Sequence, residues 1–530
     1  MPVHNTSPHV EPDAAEVAGF SPASPGQVTA ARPAGDVGRR EPVGLGQVRS
    51  VLARVPRGWR APLAAYLGCQ AIFLFWWIAF YPGLMSYDSV VYVLHVTTGP
   101  WVDNHSVLYD SMVWLSLRVT GGLAALTLMQ TIAMSAAFGY TVAAFRRLGV
   151  PGRWTAAAAL TVAALPPTGA FMIFIWKDVP FTICAFLMVP TLAHLVSLRS
   201  RPGMPRDRRT NLLVAVLGLE LLGMDLFRLN GFVVAVLAAA AMVILLPGLR
   251  ARLAGVAAAG VCVAFFLNYV VYPAAGIEKT PKYISYAAAD SDIAVAYAER
   301  PSSFTPADTR LMARAAPLAE WARTADCYDS DFTTKIPHFI ERSSLLTGQL
   351  FHLWLQVFKR SPDLVLGARI CRGAIAWSVF AGPPKLAANT SEPGDQIPAN
   401  LFLLAPVLRG NPYRSALRGD PPSLELNKAA NFLWLASKVS QLQWLLWRGA
   451  FWCYLSYMVL FTFARRRRNW QLLSLGAIIA AQQVGVMATN LAQLYRYMVS
   501  PIIIGIILIP LFFARNRPPP VTGSGADPGS

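Results

Sequence analysis

Charge is what this chain of 530 residues has least of: Asp, Glu, Lys and Arg make up 14% of it, where a soluble protein carries about a quarter. With 55% hydrophobic residues and a mean hydropathy of +0.42, a polytopic membrane protein displaces a soluble enzyme as the leading class. Acid is scarcer than base, 28 Asp and Glu against 46 Lys and Arg. The arginines sit in short segments between apolar runs, the pattern of cytoplasmic membrane loops, which excludes nucleic acid as a partner. Cysteine is rare, and no Cys/His spacing resembles a zinc site. There is no phosphate-cradling glycine loop, no nucleophile elbow and no metalloprotease helix motif. No apolar segment with a cleavage site follows Met1, so the first apolar run reads as a signal anchor.

What is present is apolar and periodic. Residues 1–60, rich in Pro, Gly, Ala and Ser, cannot bury enough surface to fold and read as a disordered cytoplasmic tail, as do 515–530. Between them lie about ten apolar segments of membrane-crossing length: 61–80, 123–145, 154–175, 179–198, 212–227, 231–249, 254–272, 449–464, 472–489 and 498–513. The expected fold is an all-α polytopic membrane protein. It has an N-terminal transmembrane module (61–275) with a first outer loop (81–120), a mainly helical extracytoplasmic lid (276–444) and C-terminal helices (445–514). Segment 107–119 is short and holds Asp110 and Arg118, so it reads as a juxtamembrane or re-entrant helix. In the lid, 345–358 and 431–447 are amphipathic and aromatic and read as interfacial helices, with a Pro/Gly/Asn-rich mobile stretch at 382–395.

Orientation follows from the arginines. Arg146, Arg147 and Arg153 share one connection; Arg199, Arg201, Arg206, Arg208 and Arg209 share the next but one. Arg250 with Arg252, the run from Arg465 to Arg468, and Arg515 with Arg517 mark the remaining alternate connections. By the positive-inside rule these face the cytoplasm together with both termini. The opposite connections then face outward: the Asp88 loop, Trp176-Lys177-Asp178, the turn from Phe227 to Gly231, the lid, and Tyr495-Arg496-Tyr497. This partition puts every unusual polar cluster on one face. Cys69, Cys184, Cys262 and Cys453 fall inside spans, whereas Cys327 and Cys371 lie in the outward lid, where a disulfide between them suits an oxidising exterior.

The outward clusters each have two readings. Asp88 in Ser86-Tyr87-Asp88-Ser89 either caps a short interfacial helix or serves as a general base toward an attacking hydroxyl. Asp103-Asn104-His105 is either turn chemistry or a device that orients an acceptor and tunes Asp88 by like charge. Lys177-Asp178 is either a snorkelling lysine with a capping acid or part of a site. Arg228 either pairs with Asp225 one helical turn back or joins Lys177 and Arg496 as the Lys/Arg residues of the short outward turns. Three cations at one mouth would bind a lipid-linked phosphate and stabilise it as it leaves. No cofactor is required by any of this, although the triplets Asp290–Asp292 and Asp329–Asp331 leave room for a divalent metal. Gln482, Gln483 and Glu220 read as interhelical hydrogen-bonding groups.

The order of Tyr-Pro-Gly-x-x-Ser-Tyr-Asp-Ser (81–89), Asp-x-His (103–105), Lys-Asp (177–178), Arg-x-Asn-Gly (228–231) and Tyr-Arg-Tyr (495–497) resembles polytopic glycosyltransferases of the GT-C superfamily. It is most similar to the polyprenyl-phosphate-sugar-dependent mannosyl- and aminoarabinosyltransferases, over most of 61–513. The resemblance implies a bacterial plasma-membrane enzyme that moves a sugar from a polyprenyl-phosphate carrier to a cell-wall glycan, lipid or protein acceptor on the outer face. Asp88 would be its catalytic acid/base. Asp103, His105, Lys177, Asp178, Arg228, Asn230, Tyr495 and Arg496 would bind substrates. Where the family usually has an Asp-Glu pair, this chain has Asp88-Ser89. The rival expectation is a transporter or flippase of a lipid-linked intermediate, against which stand the lack of matching halves and of an interrupted helix pair; a third is a non-catalytic envelope-assembly scaffold.

Overall fold

The apolar runs form helices and pack antiparallel. A computed structural model of the chain describes residues 56, 58–199, 207–380, 409–414, 419 and 421–515. Nearly all of the expected tails, the 382–395 stretch, and Arg201, Arg206 and Arg517 lie outside these. The first half consists of α1 (Arg60–Ala79), α2 (Tyr87–Thr97), α3 (Val107–Thr120), α4 (Ala124–Arg147), α5 (Gly152–Ala164), α6 (Pro166–Met172), α7 (Asp178–Arg199), α8 (Asp207–Phe227), α9 (Gly231–Leu245) and α10 (Arg250–Phe266). The lid contributes α11 (Lys282–Glu299), α12 (Pro306–Ala315), α13 (Phe339–Arg360), α14 (Pro362–Arg372) and α15 (Leu424–Ala436). The chain closes with α16 (Ala450–Arg467), α17 (Ala477–Thr489) and α18 (Val499–Leu508). No strand occurs among the described residues, only isolated bridges.

Among the described residues six helices are long and apolar enough to cross a membrane, and a seventh if a bent pair counts as one span. This makes the molecule a helical membrane protein. Polar side chains join the spans where backbone groups are already satisfied within helices. Gln70 on α1 donates to Thr131 on α4 at 3.2 Å and accepts from Ser135 at 2.9 Å. Gln482, Gln483 and Glu220 behave as the sequence suggests: Gln482 bonds the Tyr497 carbonyl at 2.7 Å, Gln483 the Ala376 carbonyl at 2.8 Å, and Thr191 donates to Glu220 at 2.7 Å. At 14 residues α3 is about 21 Å long.

One expected span is broken. Segment 154–175 divides at Leu165 into α5 and α6, bent by 76°. Pro166 and Pro167 explain it: neither can donate a helical hydrogen bond, and the residue before a proline is pushed to extended backbone, as Leu165 is at ψ 123°. An interrupted helix is therefore present, contrary to the sequence expectation. The chain beyond α6 is extended and lies beside the first loop: Leu84 N–H donates to the Ile173 carbonyl at 3.0 Å and Ile175 N–H to the Leu84 carbonyl at 2.9 Å. Gly83, at φ +143°, permits this approach, since a Cβ there would sit 2.7 Å from the Ile173 carbonyl oxygen.

The connections sort into two ends. At one, Arg467 donates to the carbonyls of Leu148 (2.9 Å) and Arg515 (2.6 Å), Arg466 to Phe512 (2.9 Å) and Arg199 to Pro247 (2.7 Å). At the other meet the Asp88 loop and the turns at residues 176–178, 227–231 and 495–497. The lid has its own core, built from Ile293, Met312, Trp321, Phe339, Leu350 and Leu364. Cys327 and Cys371 form the expected disulfide. Lid and bundle are stitched together next to it: Ser330 bonds the Leu491 carbonyl through N–H (2.9 Å) and Oγ (2.8 Å), Asn490 Nδ2 donates to the Arg372 carbonyl at 3.0 Å, and Gln493 Nε2 to that of Cys371 at 3.0 Å.

Beside Asp292, Asp290 is 3% exposed, with one carboxylate oxygen that meets no donor. Burial, and then the neighbouring charge of Asp292, raise its pKa from 3.8 to about 7. Between about pH 4 and 7 the folded lid therefore holds a proton that the unfolded chain releases, so this group makes stability fall as pH rises through that window. Asp290→Asn is expected to flatten that part of a melting-temperature profile and to raise stability at pH 8. An unchanged profile would refute the assignment.

Candidate functional site

The site begins with Ser86. Its backbone N–H donates to Ser89 Oγ at 2.9 Å and starts α2, while its hydroxyl accepts from Trp176 Nε1 at 2.5 Å. Ser89 Oγ donates to the Ile175 carbonyl at 2.9 Å. These bonds tie the first turn of α2, which carries Asp88, to the extended segment that carries Lys177 and Asp178. Ser89, the residue that stands in place of the usual second acid, is thus a structural tie. The capping reading of this loop holds for Ser86 and Ser89, not for Asp88.

Asp88 instead faces Arg496, whose Nη1 donates to Oδ2 at 2.5 Å and lies 3.9 Å from Asp178 Oδ2. Arg228 Nε lies 3.2 Å from the other oxygen of Asp178. The sequence alternative that pairs Arg228 with Asp225 is not realised. Two acids and two arginines thus alternate, Asp88–Arg496–Asp178–Arg228, with Asp178 only 1% and Arg228 4% exposed. Aromatic rings hold the guanidinium groups: Arg228 stands 4.4 Å from the Tyr497 ring centre and Arg496 5.3 Å from that of Trp176. Beside this row Lys177 Nζ donates to His105 Nδ1 at 2.7 Å.

Burial raises the Asp88 pKa, but Arg496, then His105 and Lys177, outweigh it and hold the carboxyl well below the usual carboxylate range. Burial lowers the His105 pKa and the Lys177 charge lowers it further, to about 3. His105 is therefore neutral near pH 7. An ammonium only donates, so Nδ1 accepts and the ring proton sits on Nε2, available as a donor. Burial lowers the Lys177 pKa too, against the pull of Asp88 and Asp178.

His105 also lines a cavity of about 400 Å³, with Asp103, Asp225, Asn268, Tyr269, Tyr272 and Lys279. Its outer wall is the end of α10, where the helix widens into a π turn at Leu267–Val271, a distortion frequent at functional sites. The long apolar helix around α10 is almost wholly exposed along its length, so an apolar surface bounds this side of the cavity. A small notch of about 20 Å³ adjoins it, lined by Asp225, Phe232, Ala235, Ala257 and Gly260. Among the described residues the Asp225 carboxylate makes no hydrogen bond, and it stands on the wall of both the cavity and the notch.

The remaining expected site residues divide. Asp103 is not among the charges that act on Asp88. Its carboxylate is taken by Thr280, through N–H and through Oγ1 at 2.6 Å, and by Lys279 at 3.6 Å, which ties the first loop to the start of the lid. Asn230 Nδ2 reaches Thr489 Oγ1 at 3.4 Å and anchors α17 rather than joining the ionic row. Tyr495 is fully buried, against the rings of Trp447 (5.0 Å) and Phe171 (6.2 Å), and positions Arg496 by packing. Neither Asp-Ser-Asp triplet holds a metal site. Asp292 is occupied by Arg369 at 2.6 Å and Arg372 at 2.8 Å, and Asp329 closes on the Asp331 N–H at 2.9 Å. Among the described residues no three His, Cys, Asp or Glu side chains converge to hold an ion. The sequence reading gave Trp176, Tyr497 and Asp225 no role in the site and missed the cavity wall from Asn268 to Lys279. The aromatic residues flanking Lys177 and Arg496 were the available signal.

Fold and site together define a helical membrane protein with an alternating acid–arginine row at one end of its bundle. The chain matches no known protein family, no curated protein and no solved structure.

Proposed function

We propose that this protein is an integral membrane glycosyltransferase of about ten crossings that works at the outer face of a bacterial plasma membrane. It transfers a sugar from a polyprenyl-phosphate carrier to a cell-envelope acceptor. The observation that carries the reading is Asp88, held ready and ionised by Arg496, with Lys177 beside it bonded to His105 on the wall of a cavity. An amphiphilic donor suits such a place: its head in the polar cavity, its chain against the exposed apolar surface of α10.

In the proposed step the acceptor oxygen bonds to the anomeric carbon as the carbon–oxygen bond to phosphate breaks. The electron pair leaves with the polyprenyl phosphate, and the acceptor proton passes to Asp88. Lys177, Arg496 and Arg228 meet the negative charge that accumulates on the phosphate. When the phosphate draws Arg496 away, Asp88 loses the largest influence holding its pKa down, and burial then makes it a stronger base. The broken span at Leu165 removes one of the two sequence arguments against a transporter; what supports transfer is that Lys177 and Asp178 beyond the break stand beside Asp88 and Arg496.

The test is transfer by purified protein from labelled polyprenyl-phosphate sugars. No transfer from any donor by folded protein would sink the enzyme. A finer check uses Arg496→Gln. Removing the guanidinium raises the Asp88 pKa, so the acid limb of the rate profile is expected to move to higher pH; a limb that stays in place separates Arg496 from Asp88.

A further inference from the structure

The end of the bundle away from Asp88 holds a second concave site. Between α4 and α5 the chain turns through Gly149, at φ +88°, and forms the floor of an open bowl of about 430 Å³. Its wall contains Arg146, Arg153 and Arg515 and no acid. The three residues come from the end of α4, the start of α5 and the segment after α18. Their backbones are held together, since Arg515 N–H donates to the Gly149 carbonyl at 3.0 Å and Arg467 bridges the Leu148 and Arg515 carbonyls at 2.9 and 2.6 Å. A Cβ at Gly149 would stand 2.9 Å from both the Arg467 guanidinium and the Arg515 carbonyl, so the floor requires glycine.

A stacked aromatic pair stands close in sequence to the bowl's arginines. The Trp154 and Phe513 rings lie 5.0 Å apart, are 41% and 50% exposed, and sit one residue from Arg153 and two from Arg515. Exposed aromatics of this kind settle at the boundary between headgroups and hydrocarbon. Arg153 leans over the Trp154 ring at 5.5 Å. Among the described residues none of the three arginines is paired with a carboxylate, although Arg146 also donates to the Gly58 carbonyl. Holding three like charges together is unfavourable unless an anion sits between them, and guanidinium groups match phosphate oxygens in a fork geometry.

We propose that this bowl binds the phosphate headgroup of an anionic membrane lipid, with Arg146, Arg153 and Arg515 on the phosphate and Trp154 and Phe513 beside the upper acyl chain. The bowl fixes the 146–153 connection and the C-terminal segment against each other through that lipid. The site is separate from the proposed transfer chemistry and does not depend on it.

The test is lipid retention by the full chain in neutral detergent, read by native mass spectrometry and by the shift in melting temperature. The probes are phosphatidylglycerol, phosphatidylcholine and soluble glycerophosphate. Phosphatidylglycerol is expected to bind at least tenfold more tightly than phosphatidylcholine. Near an anionic headgroup each arginine contributes roughly fivefold, so Arg146→Gln/Arg153→Gln/Arg515→Gln is expected to lose on the order of a hundredfold. Should the triple variant misfold, Arg153→Gln alone, at an exposed position, is expected to lose about fivefold. Equal retention of phosphatidylglycerol by wild type and variants overturns the proposal. So does glycerophosphate that competes on equal terms with the lipid, since the bowl would then serve a soluble phosphate.

Discussion

Asp88→Asn is expected to lower sugar transfer by roughly 10²–10⁴-fold, the usual contribution of a positioned general base, with little change in donor binding or in folding. The amide keeps the size of the side chain but has no basic oxygen able to take the acceptor proton. The fold should tolerate the change because the Asp88 side chain is 26% and Arg496 16% exposed, and because Asp178, 3.9 Å from Arg496, remains as a partner. Donor affinity is expected to hold or to rise, since a carboxylate no longer competes with the phosphate for Arg496. The decisive comparison is kcat against donor KM in detergent-purified protein of unchanged melting temperature. Transfer at the wild-type rate would remove Asp88 from the chemistry and leave the ionic row as architecture.

The second large effect concerns stability and does not depend on what the protein catalyses. Asp292 is wholly buried and accepts from Arg369 Nε (2.6 Å), Arg372 Nη1 (2.8 Å) and Trp354 Nε1 (3.0 Å). Asp292→Ala leaves the Arg372 guanidinium, itself 1% exposed, without its counter-charge, and breaking a buried pair in this way costs about 3–5 kcal/mol. The loss should reach the site, because the carbonyls of Arg372 and Cys371 hold Asn490 and Gln493 only a few residues before Arg496. A melting temperature within a degree of wild type would show that this triad does not hold the lid together. Replacing Asp292 and Arg372 together by Leu should recover part of the stability lost in Asp292→Ala, since the uncompensated charge is then gone.

Several features could be read directly along the chain. Apolar length identified the helices, arginine spacing sorted the connections into two sets that the fold brings to separate ends, and the two lid cysteines pair. Lys177, Asp178, Arg228 and Arg496 were recognisable because ionisable groups in short turns between apolar helices are costly unless partnered. Their pairing was not recognisable. Arg228 has an acid one helical turn away at Asp225, and local spacing favoured it, yet the side chain reaches Asp178 on another helix.

Composition and periodicity by themselves determined that this chain forms apolar helices with arginine-rich connections alternating with acid-bearing ones, because both signals act within a few residues of each other. Only the tertiary structure decided which charges meet. Pro166-Pro167 breaks a helix by local rules, but its effect, bringing Trp176 and Lys177 beside Asp88, depends on the bond between Leu84 and Ile173. Contacts such as Asp88 with Arg496 join residues 408 apart in sequence, and no local pattern encodes a pairing that exists only once the helices have packed.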